Sequence, residues 1–316
     1  MADKPIIAVA GATGAQGGGL VRAILADKHG PFRARALTRD AGSDKARALA
    51  AAGAEVVAAN VDDEASVRAA FDGAYGAFCV TFFWDHMSPE RELAQATNLA
   101  RAAKDAGVQH VIWSTLEDVR QFVPLDDPRM PTLQGKYKVP HFDAKGEADQ
   151  VFRDLGVSTT FLLTSFYWDN LIYFGMQPRR GSDGVLTLTL PMGDKKLPGV
   201  AAEDIGKTAY GIFERGLGTV GQTLSACGGH PTGAEMAATL SKVFGEEVRY
   251  TPVPPEVYRG LGFPGADDVG NMFQFKAEFE EEYCARRPLD VTRSLNPEVQ
   301  SFEEWARANK DRIPRQ

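Results

Sequence analysis

Hydrophobic and polar positions follow two alternating patterns along the first half of the chain. Short apolar runs, typical of buried strands, are separated by stretches in which apolar residues return every three or four positions, as on one face of a helix. The runs predict strands at residues 6–10, 32–38, 54–59, 76–81, 110–114 and 158–163. The helical stretches fall at residues 20–25, 46–52, 63–71, 88–107 and 142–155. Strands alternating with helices in this way predict a doubly wound parallel α/β sheet.

The alternation breaks down after about residue 165. Asp183-Gly184 precedes the alternating run 185–190, which predicts an antiparallel strand. A short strand is predicted at 247–251, and helices are predicted at 203–214, 232–244, 266–275 and 301–309. We therefore expect a first domain, residues 1–165, and a smaller mixed α+β domain, residues 166–316, that closes over the cofactor cleft at the carboxyl edge of the sheet. Some strands and helices of the later segment are expected to return to the first domain, and the long insertion 117–139 lies where an active-site lid would.

The turn after the first strand carries the most specific signal. It reads Gly11-Ala12-Thr13-Gly14-Ala15-Gln16-Gly17, between an apolar run and a helical pattern. Gly11 suits a sharp turn, Gly14 presents no Cβ to a close ligand, and Gly17 lets the helix pack tightly on the strand. Amides at the start of such a helix bind a diphosphate. The spacing is GxxGxxG rather than GxGxxG, and an ordinary glycine-rich turn is the alternative, but the flanking strand and helix favour a dinucleotide site.

The end of the second strand bears on which dinucleotide is bound. In such sites an acidic side chain holds the ribose 2′-hydroxyl of NAD, whereas an Arg accommodates the 2′-phosphate of NADP. The strand ends in Thr38-Arg39-Asp40. Arg39 can fork onto a phosphate with Thr38 donating beside it, while Asp40 turned inward would favour NAD. We expect NADP, with NAD as the alternative.

Residues that follow the third and fourth strands also lie at the carboxyl edge, where open α/β sheets bind ligands. Asn60 and Val61 are expected to contact the adenine, and Asp62 and Asp63 to cap the next helix. The segment Phe82-Phe83-Trp84 either covers a nicotinamide pocket or fills the core, and both can hold at once.

Composition and charge argue against several other classes of protein. The chain has 316 residues, 44% hydrophobic and 24% charged, as expected of a globular protein with a large core. A net charge of −7 argues against general affinity for nucleic acid or an anionic membrane, and no apolar run approaches membrane-spanning length. Cys79, Cys227 and Cys284 fit neither a disulfide framework nor a metal site, and Met1–Pro5 leaves no room for a signal peptide before the first strand. We expect a cytoplasmic protein with reduced thiols and no metal.

Several segments in consistent order resemble the NmrA-like family, an atypical branch of the short-chain dehydrogenase/reductase superfamily. They are residues 11–18, 37–39, 53–57, 141–147, 263–266 and 271–273, together with Ser114 and, thirty-one residues later, Lys145. The resemblance implies a Rossmann-type fold and an NADP(H)-binding redox sensor or regulator with little or no dehydrogenase activity. Carried over by position, it implies cofactor contacts at Gly11, Thr13, Gly14, Ala15, Gln16, Gly17, Arg39, Val80, Thr81, Phe82, Lys145, Ser165, Phe166, Tyr167 and Trp168. A second lysine of the family has no counterpart, since the aligned positions are Ala94 and Thr97.

The candidate catalytic residues depart from the superfamily pattern. Its reductases have a Tyr four positions before the Lys, and here that position is His141. Tyr137 lies eight positions before Lys145 with Pro140 between them, and Tyr167 is a further candidate from another loop. His141 could transfer a proton near neutral pH, although a capping or core role is the simpler interpretation. Lys145 would still hold a cofactor ribose.

Two functions remain open at this point. The first is an NADP-binding regulator. Such a protein changes its conformation, or exchanges its regulatory protein partner, according to the redox state of the cofactor. The second is an NAD(P)H-dependent oxidoreductase that acts on quinones or other conjugated carbonyl acceptors, because reduction of a quinone can draw its proton from water. Direct nucleic-acid binding fits poorly with the acidic balance, and an oligomer is compatible with the sequence. The acidic run 278–283 is either a docking strip or a solvated helix face.

Overall fold

The computed structural model describes residues 4–315, so the first three residues of the Met1–Pro5 segment lie outside the described residues. The contacts between residues divide the chain into two units. The first contains Met1–Asp118, His141–Thr164 and Glu203–Leu224. The second contains Val119–Pro140, Ser165–Ala202 and Ser225–Gln316. The chain therefore crosses between the units five times, and most of the insertion belongs to the second unit.

Residues 4–315 form 12 strands and 13 α-helices. The strands are β1 Ile6–Val9, β2 Arg33–Thr38, β3 Glu55–Ala58, β4 Gly76–Cys79, β5 His110–Thr115, β6 Thr159–Leu163, β7 Phe166–Tyr167, β8 Arg179–Arg180, β9 Leu186–Leu190, β10 Gly199–Val200, β11 Thr223–Ser225 and β12 Val248–Pro252. The helices are α1 Ala15–Ala26, α2 Asp44–Ala51, α3 Glu64–Phe71, α4 Pro89–Asp105, α5 Pro140–Asp154, α6 Asn170–Tyr173, α7 Ala202–Arg215, α8 Gly233–Phe244, α9 Pro255–Arg259, α10 Ala266–Glu278, α11 Glu280–Ala285, α12 Leu289–Leu295 and α13 Phe302–Ala308. Single 3-10 turns lie at Phe83–Asp85, Val119–Gln121 and Gly216–Thr219.

The first unit is built on a seven-stranded sheet with the order β11-β6-β5-β4-β1-β2-β3. β1 pairs in parallel with both β2 and β4, so the strand order reverses between β1 and β4. In a doubly wound sheet the ligand crevice lies at such a reversal, outside the carboxyl ends of the strands. β1, β4, β5 and β6 are buried along their whole length, as is typical of parallel strands covered on both faces. The doubly wound α/β fold predicted from the sequence is confirmed.

Helix α7 packs on α1 within the first unit, although the two helices lie far apart in sequence, with β2 to β10 between them. A Cβ on Gly19 of α1 would lie 2.5 Å from the carbonyl oxygen of Glu203, and a Cβ on Gly206 of α7 would overlap the amide nitrogen of Leu20. Backbones can approach this closely only where a side chain is absent. An ion pair of 3.0 Å between Arg22 and Glu203 flanks the contact. Two glycines therefore fix the place of α7 on the helix that follows the glycine turn.

The second unit contains two small sheets. β9 pairs antiparallel with β8, as predicted for residues 185–190, and also parallel with β12. β7 pairs in parallel with β10. The core of this unit includes Trp168, whose ring centroid lies 5.4 Å from that of Phe302 and 6.2 Å from that of Trp305. Within residues 4–315 no helix is long and apolar enough to cross a membrane, and no three His, Cys, Asp or Glu side chains are grouped as metal ligands.

Candidate functional site

The N-terminus of α1 differs from those of the three helices that follow it. α2, α3 and α4 begin with the side-chain caps Ser43, Asp63 and Ser88, and each has an acidic residue in its first turn. α1 begins after Gly14 with no side-chain cap and no acidic residue in its first turn. The positive partial charge of its first amides is therefore offset by neither a side-chain cap nor an acidic residue of the first turn. An anionic group such as a diphosphate would compensate that charge.

The glycine turn itself has the geometry that close binding of a dinucleotide requires. Gly11 has a φ of +63°, and a Cβ there would lie 3.1 Å from the side chain of Val80. A Cβ on Gly17 would lie 2.5 Å from the carbonyl oxygen of Gly11, so helix and turn pack backbone to backbone. Gly14 and Ala15 are exposed and Thr13 is half-buried, which leaves the outer side of the turn accessible. The residues present fit a dinucleotide, and their individual ligand contacts stay a prediction.

Gln16 and Ser114 connect this turn to the end of β5. The Ser114 hydroxyl donates a hydrogen bond of 2.7 Å to the side-chain carbonyl of Gln16. Ser114 is only 2% exposed. The hydroxyl that the resemblance aligns with a reductase serine therefore donates to the first turn of α1 in this structure.

Arg39, which follows β2, forms an ion pair with Asp85 from the 3-10 turn after β4. The distance from Arg39 Nη1 to Asp85 Oδ2 is 2.7 Å, and the two side chains are 68% and 45% exposed. The carboxylate of Asp40 instead accepts the amide of Gly42 at 2.8 Å, and its backbone hydrogen-bonds the Thr38 hydroxyl. The acidic group that faces Arg39 is therefore Asp85, which the sequence did not single out.

The segment after β3 is fixed by hydrogen bonds to its neighbours. Asn60 Oδ1 accepts the amide of Asp62 at 3.1 Å, and the carbonyl of Val61 accepts from Asn98 at 3.0 Å. Asp63 caps α3, as predicted. The capping prediction is wrong for Asp62, which binds Arg91 through both carboxylate oxygens at 3.0 and 2.6 Å. Hydrogen bonding to that guanidinium lowers the pKa of Asp62 to about 2.

The ammonium group of Lys145 is held inside the first unit. Its Nζ lies 2.8 Å from Thr81 Oγ1, 3.2 Å from the Thr81 carbonyl oxygen and 2.8 Å from Glu92 Oε1. An ammonium has three hydrogens to donate, and three oxygens surround it here. The Thr81 hydroxyl in turn donates to Glu92 at 2.6 Å. Lys145 would have to exchange one of these contacts in order to bind a ribose hydroxyl.

Glu92 and His86 extend this network beneath the carboxyl edge. Glu92 is fully buried, and His86 Nε2 lies 3.4 Å from Glu92 Oε2. His86 Nδ1 accepts the amide of Ser88 at 3.1 Å, which assigns the ring proton to Nε2, on the side of Glu92. Sequence reasoning missed both residues. The available signal was that Glu92 shares the buried face of α4 with Ala96, Leu99 and Ala103, a position where a carboxylate needs a partner.

His141 is packed among aromatic rings. It is 6% exposed, and its ring centroid lies 4.9 Å from that of Trp84 and 5.8 Å from that of Phe83. Phe83 is buried, whereas Phe82 beside it is 57% exposed. Phe83 therefore belongs to the core, and the contact of the exposed Phe82 ring with a nicotinamide stays a prediction. The surroundings of His141 fit the core role better than a catalytic one.

Asp149 is a further titratable group that the sequence did not single out. It lies one turn after Lys145 on α5 and accepts a hydrogen bond of 2.6 Å from the Thr115 hydroxyl. Burial raises its pKa to about 7, against an ordinary value of 3.8. A carboxyl group near the end of β5 therefore changes its charge near neutral pH.

The remaining predicted site residues belong to the second unit. Ser165 donates to the Ala226 carbonyl at 2.8 Å, Phe166 and Tyr167 form β7, and Tyr167 is half-buried. The Trp168 side chain is fully buried, and a Cβ on Gly228 would lie 2.7 Å from it. Tyr137 is also a buried residue of this unit. Contacts of these residues with a cofactor stay predictions.

Comparison with known proteins agrees with the sequence patterns. A model of the NmrA-like family matches residues 3–306. An NmrA-like family domain-containing oxidoreductase, FrzB from Cladobotryum sp, is 31% identical over 90% of this chain and 88% of its own length. An NAD(P)H azoreductase from Xenophilus azovorans is 29% identical over 96% of this chain and 98% of its own length.

Solved structures show the same architecture. NmrA, described as a negative transcriptional regulator, superposes with a TM-score of 0.80 at 25% identity, covering 96% of this chain and 95% of its own. The same regulator has been solved in complex with NADP and with NAD, each at 24% identity and a TM-score of 0.79. A Citrobacter sp. triphenylmethane reductase complexed with NADP(H) has a TM-score of 0.74 at 20% identity over 95% of this chain and 98% of its own, and shares the fold.

Proposed function

The chain belongs to the NmrA-like family, and from this premise we propose that it binds NADP(H) and acts as a redox sensor with little or no dehydrogenase activity. The observation that carries the binding is the N-terminus of α1, which has neither a side-chain cap nor an acidic residue beside exposed Gly14. The nicotinamide of a bound cofactor supplies or accepts a hydride. Everything else in the site concerns how the protein holds the dinucleotide and whether it can deliver a proton.

The residues at the carboxyl edge fit the parts of the dinucleotide. The amides that follow Gly14 would hold the diphosphate, and Arg39 would hold the 2′-phosphate with Thr38 beside it. Asn60 and Val61 follow β3, on the side of the sheet where the adenine is expected. Lys145 would hold a ribose hydroxyl only by releasing Thr81 or Glu92.

The proposal of weak dehydrogenase activity depends on the proton donors. A reductase of this superfamily protonates the substrate oxygen from a Tyr, and His141 at that position is buried among Phe83 and Trp84. Ser114 is buried and donates to Gln16. Neither group is placed to give a proton to a substrate without a rearrangement.

A second candidate function is an NAD(P)H-dependent reductase of planar conjugated acceptors. The observation that favours it is Phe82, whose 57% exposed ring stands at the carboxyl end of β4. An exposed ring can stack on a quinone or an azo compound. The azoreductase and oxidoreductase names of the relatives agree with this alternative.

Calorimetry with NADP⁺, NADPH, NAD⁺ and NADH tests the binding. We expect NADP(H) to bind more tightly than NAD(H), and Arg39→Ala to weaken NADP(H) by about tenfold or more through loss of a charged phosphate contact. Arg33→Ala removes the same charge at the other end of β2 and is the matched control. Absence of binding by every nucleotide would overturn the proposal.

A sensor and a reductase differ in two further measurements. A redox sensor has two conformations, and NADP⁺ and NADPH must favour different ones. Limited proteolysis in the presence of each nucleotide would then give different cleavage patterns. A reductase must oxidise NADPH with saturable kinetics in a screen of quinones, azo compounds, aldehydes and enones. If the protein shows saturable turnover and Phe82→Ala reduces it, the reductase function is supported and the proposal of a sensor is overturned.

A further inference from the structure

The guanidinium of Arg39 already has an anionic partner in the first unit. Asp85 Oδ2 lies 2.7 Å from Arg39 Nη1, a distance typical of a charge-assisted hydrogen bond. Asp85 ends the 3-10 turn Phe83–Asp85, only a few residues beyond β4. The carboxylate of Asp40, although adjacent to Arg39 in sequence, closes its own turn by accepting the Gly42 amide. Asp85 is therefore the carboxylate with which an anion would share Arg39.

A second arginine near Asp85 is also paired with a carboxylate. Arg91, which interacts electrostatically with Asp85, is held by both oxygens of Asp62, and Gln95 also donates to Asp62. Arg39 and Arg91 therefore each have a carboxylate partner within the first unit. A 2′-phosphate, with a charge between −1 and −2 near neutral pH, would compete with Asp85 for the guanidinium of Arg39 and would be repelled by the Asp85 carboxylate.

A ribose 2′-hydroxyl places no such demand on the pair. It carries no charge, and it can donate a hydrogen bond to a carboxylate that stays in place. The loss of binding free energy that comes from competing with Asp85 for Arg39 therefore applies to NADP and not to NAD. Because both side chains are largely exposed, that loss is modest.

We propose that Asp85 is a specificity-determining residue that competes with the 2′-phosphate of NADP for Arg39, and so narrows the difference in affinity between NADP and NAD. This inference rests on the proposed binding of NADP(H). It assigns to the loop after β4 a part in cofactor choice that the glycine turn and Arg39 alone do not explain.

The test is the binding of NADP⁺ and NAD⁺ to wild type and to Asp85→Asn, measured by calorimetry. Asp85→Asn keeps the shape of the side chain and removes its charge, so we expect the Kd for NADP⁺ to fall by about three- to fivefold and that for NAD⁺ to change less than about twofold. Asp40→Asn is the matched control, because it removes another exposed negative charge, one residue from Arg39, and can still close its turn. It is expected to give a smaller change.

A thermodynamic cycle with Arg39→Ala identifies the mechanism. In the Arg39→Ala background, Asp85→Asn should sharpen the preference for NADP⁺ less than it does in wild type, because the shared cation is gone and only the direct repulsion between Asp85 and the phosphate remains. An unchanged ratio of the two Kd values in Asp85→Asn would overturn the inference while leaving the proposed binding intact, and so would an equal effect of Asp40→Asn or of Asp85→Asn without Arg39. Wild-type protein that binds neither nucleotide would overturn both. Thermal unfolding of each variant verifies that the fold is retained.

Discussion

Lys145 connects the candidate site with the stability of the fold. Its ammonium is bounded by two oxygens of Thr81 and one of Glu92, and Glu92 has no exposed surface. A buried ion pair adds little net stability relative to an apolar pair, but removal of one partner leaves the other charge buried alone. The sequence presented Lys145 as a ligand for a ribose, whereas in the structure it neutralises a carboxylate. These two roles respond differently to substitution.

We expect Lys145→Met to lower the free energy of unfolding by about 3 kcal/mol, because the buried Glu92 would lose the ammonium that is paired with it. Adding Glu92→Gln should recover most of that loss, since the amide no longer needs a cation. Urea unfolding of the single and double variants measures both effects. Lys104→Met, on the exposed end of α4, is the control and should stay within about 0.5 kcal/mol of wild type. If Lys145→Met is as stable as wild type, the pair of Lys145 and Glu92 does not contribute to the stability of the fold.

Asp149 predicts a dependence of stability on pH. Burial raises its pKa in the folded protein to about 7, while the unfolded chain titrates near 3.8. Between those values the folded state binds the additional proton, so this group's contribution to stability is greatest below about pH 4 and is lost as pH rises to about 7. We expect Asp149→Asn, which imitates the protonated acid, to be more stable than wild type at pH 8 by about 3 kcal/mol, with a much smaller gain at pH 5. Equal gains at both pH values, measured by urea unfolding, would assign the effect to packing.

At the scale of single elements, the features that would stabilise the N-terminus of α1 are expected to weaken ligand binding there. Natural caps and acids stabilise the starts of α2, α3 and α4, and α1 lacks both. Ala15→Glu should therefore stabilise the protein by about 0.5 kcal/mol through the helix dipole and weaken NADP⁺ binding by about tenfold, because a carboxylate would stand at the position proposed for the diphosphate. Thermal unfolding and calorimetry measure the two effects. Ala26→Glu, at the exposed far end of α1, is the control: a similar loss of binding there would indicate a general charge effect.

Elements with a long, regular pattern could be predicted from the sequence. The strand predicted at 110–114 is found at His110–Thr115, and the helix predicted at 232–244 is found at Gly233–Phe244, where Thr232 and Glu235 form a capping box. β11 was missed because three residues are too few to show a period. α12, of seven residues, begins without a side-chain cap and was missed, whereas α13, also of seven residues, begins with the capping box of Ser301 and Glu304 and was predicted. Short elements that lack such a signal are specified by their tertiary neighbours rather than by their own residues.

The residues of the candidate site also differ in whether the sequence could predict them. The glycine turn and Arg39 could be predicted because the chemistry lies within a few consecutive residues. The pairs Lys145–Glu92 and Arg39–Asp85 could not, because each joins side chains that only the sheet brings together. Glu92 alone left a signal, as a carboxylate on the apolar face of α4. A partner for a buried charge can be inferred from sequence, but its identity cannot.

At the scale of the whole chain, the first unit depends on residues from the later half. β11 lies at the edge of the seven-stranded sheet next to β6, and α7 lies against α1 through Gly19 and Gly206. The helix that begins at the glycine turn is thus positioned by a segment far along the chain. A boundary at residue 165 would separate α1 from the helix that supports it.

Gly206→Ala tests this dependence in the full-length protein. A Cβ at this position would overlap the amide nitrogen of Leu20 and lie 2.6 Å from the carbonyl oxygen of Gln16, so one of the two helices must shift. We expect a loss of about 2 kcal/mol in the free energy of unfolding and, because Gln16 belongs to the first turn of α1, weaker NADP⁺ binding in the variant that remains folded. Gly218→Ala is the control, since a Cβ there meets nothing within 4 Å. If both variants unfold at the same urea concentration and bind NADP⁺ equally, α7 does not hold the glycine turn in place.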